Sequence, residues 1–388
     1  MSRFTAAGLD RLAEVAARHV GFDRIPGLVA LVASGDDVHV ETLGSLSVGG
    51  PPVQRDSLFR IASTTKPITG AVTMALVDDG LLALDEPVAR LLPELASPRV
   101  LRRMDGPLDD TVPADRAITV RDLLTFTFGW GMHVEMFAAA EPWPIVAAAS
   151  QAQLAAIGPP EPGVPPDPDE WIKRLGALPL LTQPGERWLY NTGASVLGVL
   201  CQRAAGAASY EDVMRARILE PLGMTDTGFA TAAVDRLATA YQNTPDGLQV
   251  WDPPEGKWAQ QPVFQDGADG LLSTVDDLLA FARMLLRGGV PALSPDAVAA
   301  MTRDQLTSAQ RDGQEAFLDD RSWGFCQAVA ISGDRAGSFG WDGGLGTSFL
   351  VDPVRDLVVV VLTQRIFDTA QPPVVHTDLQ EAAYAALA

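Results

Sequence analysis

FRIASTTKPITGAVTMALVDDG, residues 59–80, sets Ser63 and Lys66 three positions apart at the head of a long apolar run. On a helix, positions i and i+3 share a face. Pro67 has no backbone N–H, so it is tolerated only near a helix start. The stretch predicts a helix over 67–77, with Ser63 in or just before the first turn and the positive end of the dipole beneath its oxygen. Two roles fit the pair. A serine hydroxyl becomes a nucleophile when a neighbouring base takes its proton, and a lysine amine is such a base when burial or a nearby cation favours its neutral form. Alternatively, Ser63 caps the helix and Lys66 points to solvent. Ser-x-x-Lys is too short a pattern to choose between them.

Outward from this stretch, LVALVASGDDVHVETLG (28–44) has two β-rich runs about Ser34-Gly35-Asp36-Asp37 and predicts a hairpin. LLALDEPVARLLPEL (81–95) and AITVRDLLTFTFGWG (117–131) read as helices, the second ending at Gly129. Residues 132–170 are rich in Ala and Pro and read as a long loop, a lid or substrate wall. Helices follow over 194–206, 210–223 and about 274–288, with Gly206, Gly223 and Gly288 as stops and Asp276 and Asp277 in a first turn. The last third turns to β over 322–331, 337–341, 346–352 and 356–364, and a short helix closes the chain. This order predicts a mixed α/β (α+β) fold, an antiparallel sheet flanked by helices with a mostly helical domain inserted. The α/β part takes residues 1–70 and about 290–388; the helical part takes about 71–289.

Composition narrows the partners. Of 388 residues, 47% are hydrophobic and 20% charged, which is ordinary for a globular chain. A net charge of −20 repels phosphate backbones and anionic lipid, so nucleic acid and membranes are not expected partners. The N-terminal stretch carries Asp10 and Glu14 within an amphipathic pattern and lacks a signal-peptide core, which predicts a cytoplasmic protein. Cys201 and Cys326 have no CxxC spacing, and the four histidines form no metal-ligand pattern. No metal or cofactor is expected, and the sequence does not set the oligomeric state.

A Ser-His-Asp enzyme needs a catalytic histidine, and no GxSxG elbow is present. A lysine base is the remaining option for a serine hydrolase. Tyr190, in PGERWLYNTGASVLG (184–198), stands just before a helix, where its hydroxyl can project into a cleft; aromatic packing is the plainer alternative. Trp341-Asp342-Gly343-Gly344 ends a strand, where glycines let a substrate lie against the backbone or simply make a tight bend.

Taken in order, Ser63-x-x-Lys66, Tyr190 and the glycine pair after Trp341 resemble the serine β-lactamase-like superfamily. That group includes class C β-lactamases, D-alanyl-D-alanine carboxypeptidases, family VIII carboxylesterases and lovastatin-type acyltransferases. DLLTFTFGWG (122–131), ILEPLGMTDTGF (218–229) and GWDGGLGTSFLVDP (340–353) look alike too, so the similarity runs from about residue 25 to 365. The resemblance implies a β-lactamase/transpeptidase-like fold with a cleft between two domains. It implies Ser63 as acylated nucleophile, Lys66 and Tyr190 sharing the proton work, and the N–H groups of Ser63 and Gly344 as oxyanion hole. Phe126 stands where such relatives often have histidine.

The departures bear on substrate. Thr192 replaces the asparagine of a Tyr-x-Asn motif, and Trp341-Asp342-Gly343 replaces Lys-Thr-Gly, whose lysine meets a substrate carboxylate. No cation is then expected at that place, so β-lactams and D-Ala-D-Ala peptides should bind poorly. The expected substrate is a small uncharged ester or acyl donor, bound at Trp341, Asp342, Gly343 and Thr192 and against a wall that includes Trp130, Met132, Met136, Phe137 and Trp143. The resemblance is strongest to the esterase branch and implies a carboxylesterase for short to medium acyl chains. An acyltransferase shares every catalytic residue; a β-lactamase, a D-aminopeptidase or a non-catalytic binding module are the remaining alternatives.

Overall fold

The valine run near the C-terminus decides the architecture. In the computed structural model, which describes residues 3–21 and 24–388, Leu357–Thr363 is the third strand of a seven-stranded antiparallel sheet. Numbered along the chain, the strands are β1 (Gly27–Ser34), β2 (Asp37–Gly44), β3 (Arg321–Trp323), β4 (Ala328–Ala330), β5 (Phe339–Gly343), β6 (Thr347–Asp352) and β7 (Leu357–Thr363). Their spatial order is β2-β1-β7-β6-β5-β4-β3, so the first hairpin adds to the last meander. Leu28 opposes Thr363 and Ser34 opposes Leu357 across the junction.

Both faces of the sheet are covered, which is why β1 and β7 read as unbroken apolar runs rather than alternating ones. Leu28, Ala30, Val32, Val359 and Val361 pack on one side with the helices α1 (Ala6–His19) and the C-terminal Val374–Ala386. Val29, Leu31, Val358, Val360 and Leu362 point the other way into the main core. There the helix Val275–Leu286 packs Phe281 against Phe349 of β6, with ring centroids 5.8 Å apart. The expected boundary near 289 therefore divides elements that pack together.

The helix predicted at 67–77 spans Thr65–Asp78 and is named α2; a 3-10 turn, Ala62–Thr64, leads into it. Every residue from Thr65 to Leu76 is buried, so α2 is a central helix with no solvent face. Its threonines remain satisfied: Thr69 Oγ1 donates to Gly267 O (2.6 Å) and Thr73 Oγ1 to Thr69 O (2.9 Å). The first of these bonds clips α2 to the loop 266–270.

Two predicted helices are shorter than expected. Residues 81–95 form only the 3-10 turns Val88–Arg90 and Pro93–Leu95, because Pro87 and Pro93 remove donors that a continuous helix needs. Only Val120–Leu124 of 117–131 is helical, closed at its start by a Thr119–Asp122 capping box. Beyond it Phe126 (φ +59°) and Gly129 (φ +105°) turn the chain inward. The long loop 132–170 contains helices Glu135–Ala138 and Pro144–Gln151 and leads into Pro168–Gly176. A hairpin, Ala240–Thr244 with Gly247–Asp252, is an element the periodicity did not suggest. Among the described residues, no helix is long and apolar enough to cross a membrane.

Candidate active site

Ser63 sits in the 3-10 turn ahead of α2, and Lys66 in the first turn of the helix itself. Lys66 Nζ donates to Ser63 Oγ at 2.8 Å and to the carbonyl of Ala268 at 2.9 Å. The lysine is wholly buried, so the solvent-facing alternative does not hold. Ala62, directly before the serine, has φ +44°. A non-glycine residue in that region stores strain that the surrounding structure must hold.

Tyr190 enters from the turn before the helix Thr192–Ala205. Its ring lies under Lys66, with Nζ 4.7 Å from the ring centroid. Its hydroxyl accepts a hydrogen bond from Trp341 Nε1 at 2.6 Å. Trp188 and Phe317 stack on the ring, at 5.6 and 5.2 Å between centroids, which fixes its orientation. Phe126 packs edge-on against it at 6.2 Å, so this position serves as packing beneath the tyrosine. Asn191, the next residue, has φ +86°. Strained backbone thus stands beside both Ser63 and Tyr190.

The end of β5 closes the site. Thr347 Oγ1 donates to Ile61 O (2.9 Å) and lies 3.1 Å from Thr64 Oγ1, which ties the sheet to the turn carrying Ser63. Gly343 lies so close to this turn that a Cβ there would stand 2.1 Å from Ile61 O and 2.2 Å from Thr347 Oγ1. Gly344 follows, with open space where a Cβ would be and its carbonyl held by Phe367 N–H at 2.9 Å. Gly343→Ala is accordingly expected to push the strand end from the serine turn. The expected loss in kcat/KM is on the order of 10²-fold, the scale of cost for a displacement of about 1 Å near reacting groups. Ester hydrolysis and thermal unfolding of this variant, measured together, check it; near-native turnover would mean the glycine's close approach has no part in activity.

These groups face a cavity of about 490 Å³ lined by Ser63, Tyr190, Trp341, Asp342 and Gly344. Met132, Phe137, Phe317, Leu345 and Ile366 make much of the wall apolar. Of the expected substrate contacts, Gly343, Thr192 and Trp130 do not line it. Gly343 is turned against Ile61, Thr192 is buried at a helix start, and Trp130 is buried where the chain turns inward after Gly129. Met136 and Trp143 are likewise absent from the lining.

One expectation about charge is corrected. A cation does stand by Trp341-Asp342: Arg321, distant in sequence, lines the cavity with its guanidinium 5.1 Å above the Trp341 ring. It also lies 3.8 Å from Asp342, and His376 Nδ1 lies 3.5 Å from that carboxylate on another side. Burial alone would raise the Asp342 carboxyl, but the nearness of His376 and of the Arg321 guanidinium outweighs it and holds it below its ordinary range. Pattern reading passed over Arg321 because it lies on β3, which joins the sheet only through β4.

Sequence reasoning also passed over Asp269. It lines the cavity, is 7% exposed, and follows the residue whose carbonyl holds Lys66. Within DGADG (266–270) it reads as a turn residue, and only its placement against α2 reveals more.

A family model described as Beta-lactamase matches residues 12–383. The chain belongs to the Beta-lactamase family. Esterase EstB of Burkholderia gladioli is 33% identical over 411 residues, 98% of this chain and 95% of the relative. Acyltransferase calJ of Penicillium decumbens is 30% identical over 300 residues, covering 74% of this chain and 66% of the relative. Among solved structures, EstCE1, described as a hydrolase with promiscuous acyltransferase activity, superposes with a TM-score of 0.80 at 24% identity. That match covers 97% of this chain and 98% of EstCE1, and it establishes the fold. With an esterase alike over nearly its whole length, this member of the family is a serine hydrolase of the esterase branch.

Proposed function

We propose that the protein hydrolyses uncharged esters of short to medium acyl chains through an acyl-enzyme on Ser63. The carrying observation is the 2.8 Å bond between Ser63 Oγ and the buried Lys66 Nζ at a cavity with mostly apolar walls. In this reading Ser63 Oγ attacks the ester carbonyl and its proton passes to Lys66, with Tyr190 beside it to relay. The N–H groups of Ser63 and Gly344 hold the oxyanion. The C–O bond to the alcohol then breaks, and the alcohol leaves with the proton. Water attacks the acyl carbonyl and gives its proton to Lys66 and Tyr190; the bond from the acyl carbon to Ser63 Oγ then breaks, Oγ takes that proton back, and the carboxylic acid departs.

A preference for uncharged esters is supported by the pairing of Arg321 with Asp342, which leaves that cation engaged. Acyl transfer is the second reading, supported by the likeness to acyltransferase calJ: an alcohol takes the place of water in the last step. A cytoplasmic site of action belongs to the same proposal. It is supported by two buried free thiols, Cys201 and Cys326, as suits a reducing compartment.

The test is p-nitrophenyl butyrate turnover followed by acid quench and mass spectrometry. A butyryl group on the peptide that contains Ser63 is expected. Turnover with the adduct on another residue would overturn the assignment. Added alcohols that yield butyrate esters would favour the second reading.

A further inference from the structure

The Ser63–Lys66 pair leaves a neighbouring carboxyl unexplained. Asp269 is more than nine-tenths buried, faces the same cavity as Ser63 and Tyr190, and sits in a loop bonded to α2 twice, through Gly267 O and Ala268 O. A base that takes a proton from a nucleophile acquires positive charge, and an oriented anion nearby stabilises that charge. We propose that Asp269 is the third member of the proton-transfer group, a positioning residue whose carboxylate stabilises the ammonium formed when Lys66 accepts the Ser63 proton. This inference rests on the Ser63 acyl-enzyme proposed above.

The charged surroundings are consistent with that role. Burial pushes the Asp269 carboxyl up to about 7, and the charge of Asp266 acts the same way, against the opposing charge of Lys66. The Asp266 and Asn191 side chains hydrogen-bond to it, the first raising it and the second lowering it. Asp266 is itself held, accepting from Ala268 N–H at 2.8 Å. Glu161, from the proline-rich segment, lies at the same small cleft as Asp266 and Asp269 but is paired with Lys257 at 3.0 Å. Across the cavity, Arg321 pairs with Asp342 and Arg365 with Asp368. Among the described residues, Lys66 is thus the basic group that acts on Asp269, and Asp266 the acidic one.

The sign follows from the carboxyl's state. Below pH 7 Asp269 is mostly neutral and gives the developing ammonium little help; above pH 7 it is ionised and helps. For p-nitrophenyl butyrate, kcat/KM is expected to rise through an inflection near pH 7. Asp269→Asn is expected to remove that inflection and lower the high-pH plateau about ten- to hundred-fold. Asp266→Asn removes the anion that holds Asp269 protonated, so it is expected to move the inflection to lower pH while keeping the plateau. It gains activity near pH 6, a change that mere damage to the fold does not produce.

Thermal unfolding of both variants, with Ser63→Ala alongside, completes the experiment. Should Ser63→Ala stay active, the acyl-enzyme reading fails. Should it be inactive while both aspartate variants keep the native pH profile, Asp269 has no such role. Should Asp269→Asn not fold, an unmoved inflection in Asp266→Asn overturns the proposal alone.

Discussion

Ser63→Ala is expected to reduce p-nitrophenyl butyrate hydrolysis by at least ~10³-fold, with no acyl adduct at any time point. The loss is that large because, among the described residues, the other hydroxyls near the cavity are engaged: Thr369 Oγ1 accepts from Gln371 N–H at 3.2 Å. Thr64 Oγ1 is engaged with Thr347, and Thr65 Oγ1 accepts the Leu271 N–H at 3.2 Å. Tyr190 Oη accepts from Trp341. The fold has little to lose: Ser63 is small, and its side chain bonds to Lys66 alone among the described contacts. Thermal unfolding is therefore expected within a few degrees of native, which corresponds to roughly 1 kcal/mol. Retention of a tenth of the activity would mean that another group attacks the ester.

The architecture was legible where local patterns and tertiary needs agree. The stretch 59–80 gives its helix because Pro67 marks a first turn and nothing breaks the run before Gly80. The hairpin at 27–44 and the meander at 339–363 were legible from β-rich runs between tight turns. Pairing between β1 and β7 is not local and follows only from the order of elements along the chain. The helices at 81–95 and 117–131 were over-read because apolar spacing persists there while prolines and left-handed residues end the ladder. The hairpin at 240–252 has a two-residue turn but carries polar residues on its outer positions, so alternation is weak.

In the site, legibility follows sequence separation. Ser63 and Lys66 are three residues apart, and their contact follows from helix geometry alone. Tyr190 and Gly344 needed the ordered set of motifs, because their distance from Ser63 is set by packing. Arg321 and Asp269 carry no motif: one stands on a short strand, the other in a glycine-flanked turn, and neither position has a periodicity to reveal its direction. Their effect is electrostatic and appears only with neighbours in place. The wall was over-read for the converse reason. Trp130 and Trp143 are as apolar as Met132 and Phe137, and composition cannot say which side of a loop faces a cavity.

Lys66→Met is expected to lower kcat by about 10²- to 10⁴-fold, the range for losing a positioned proton acceptor, while leaving thermal stability unchanged or raised. The two effects part because they draw on different terms. For catalysis, Ser63 Oγ loses the group 2.8 Å away that receives its proton, and Tyr190, whose oxygen is already bonded to Trp341, does not reproduce that geometry. For stability, methionine fills a similar volume without burying a polar amine. Loss of the lysine leaves Ala268 O without that donor, a cost of about 1–3 kcal/mol. Against it stands the cost of keeping a polar amine out of water, about 1–3 kcal/mol, which the variant no longer bears. Stopped-flow release of p-nitrophenol tests the catalytic half: the fast first turnover is expected to disappear, because acylation becomes slow. A variant with a normal first turnover but slow later ones would assign Lys66 to deacylation and leave Tyr190 as the first proton acceptor. A variant that unfolds several degrees below native would show instead that the lysine's hydrogen bonds outweigh its burial.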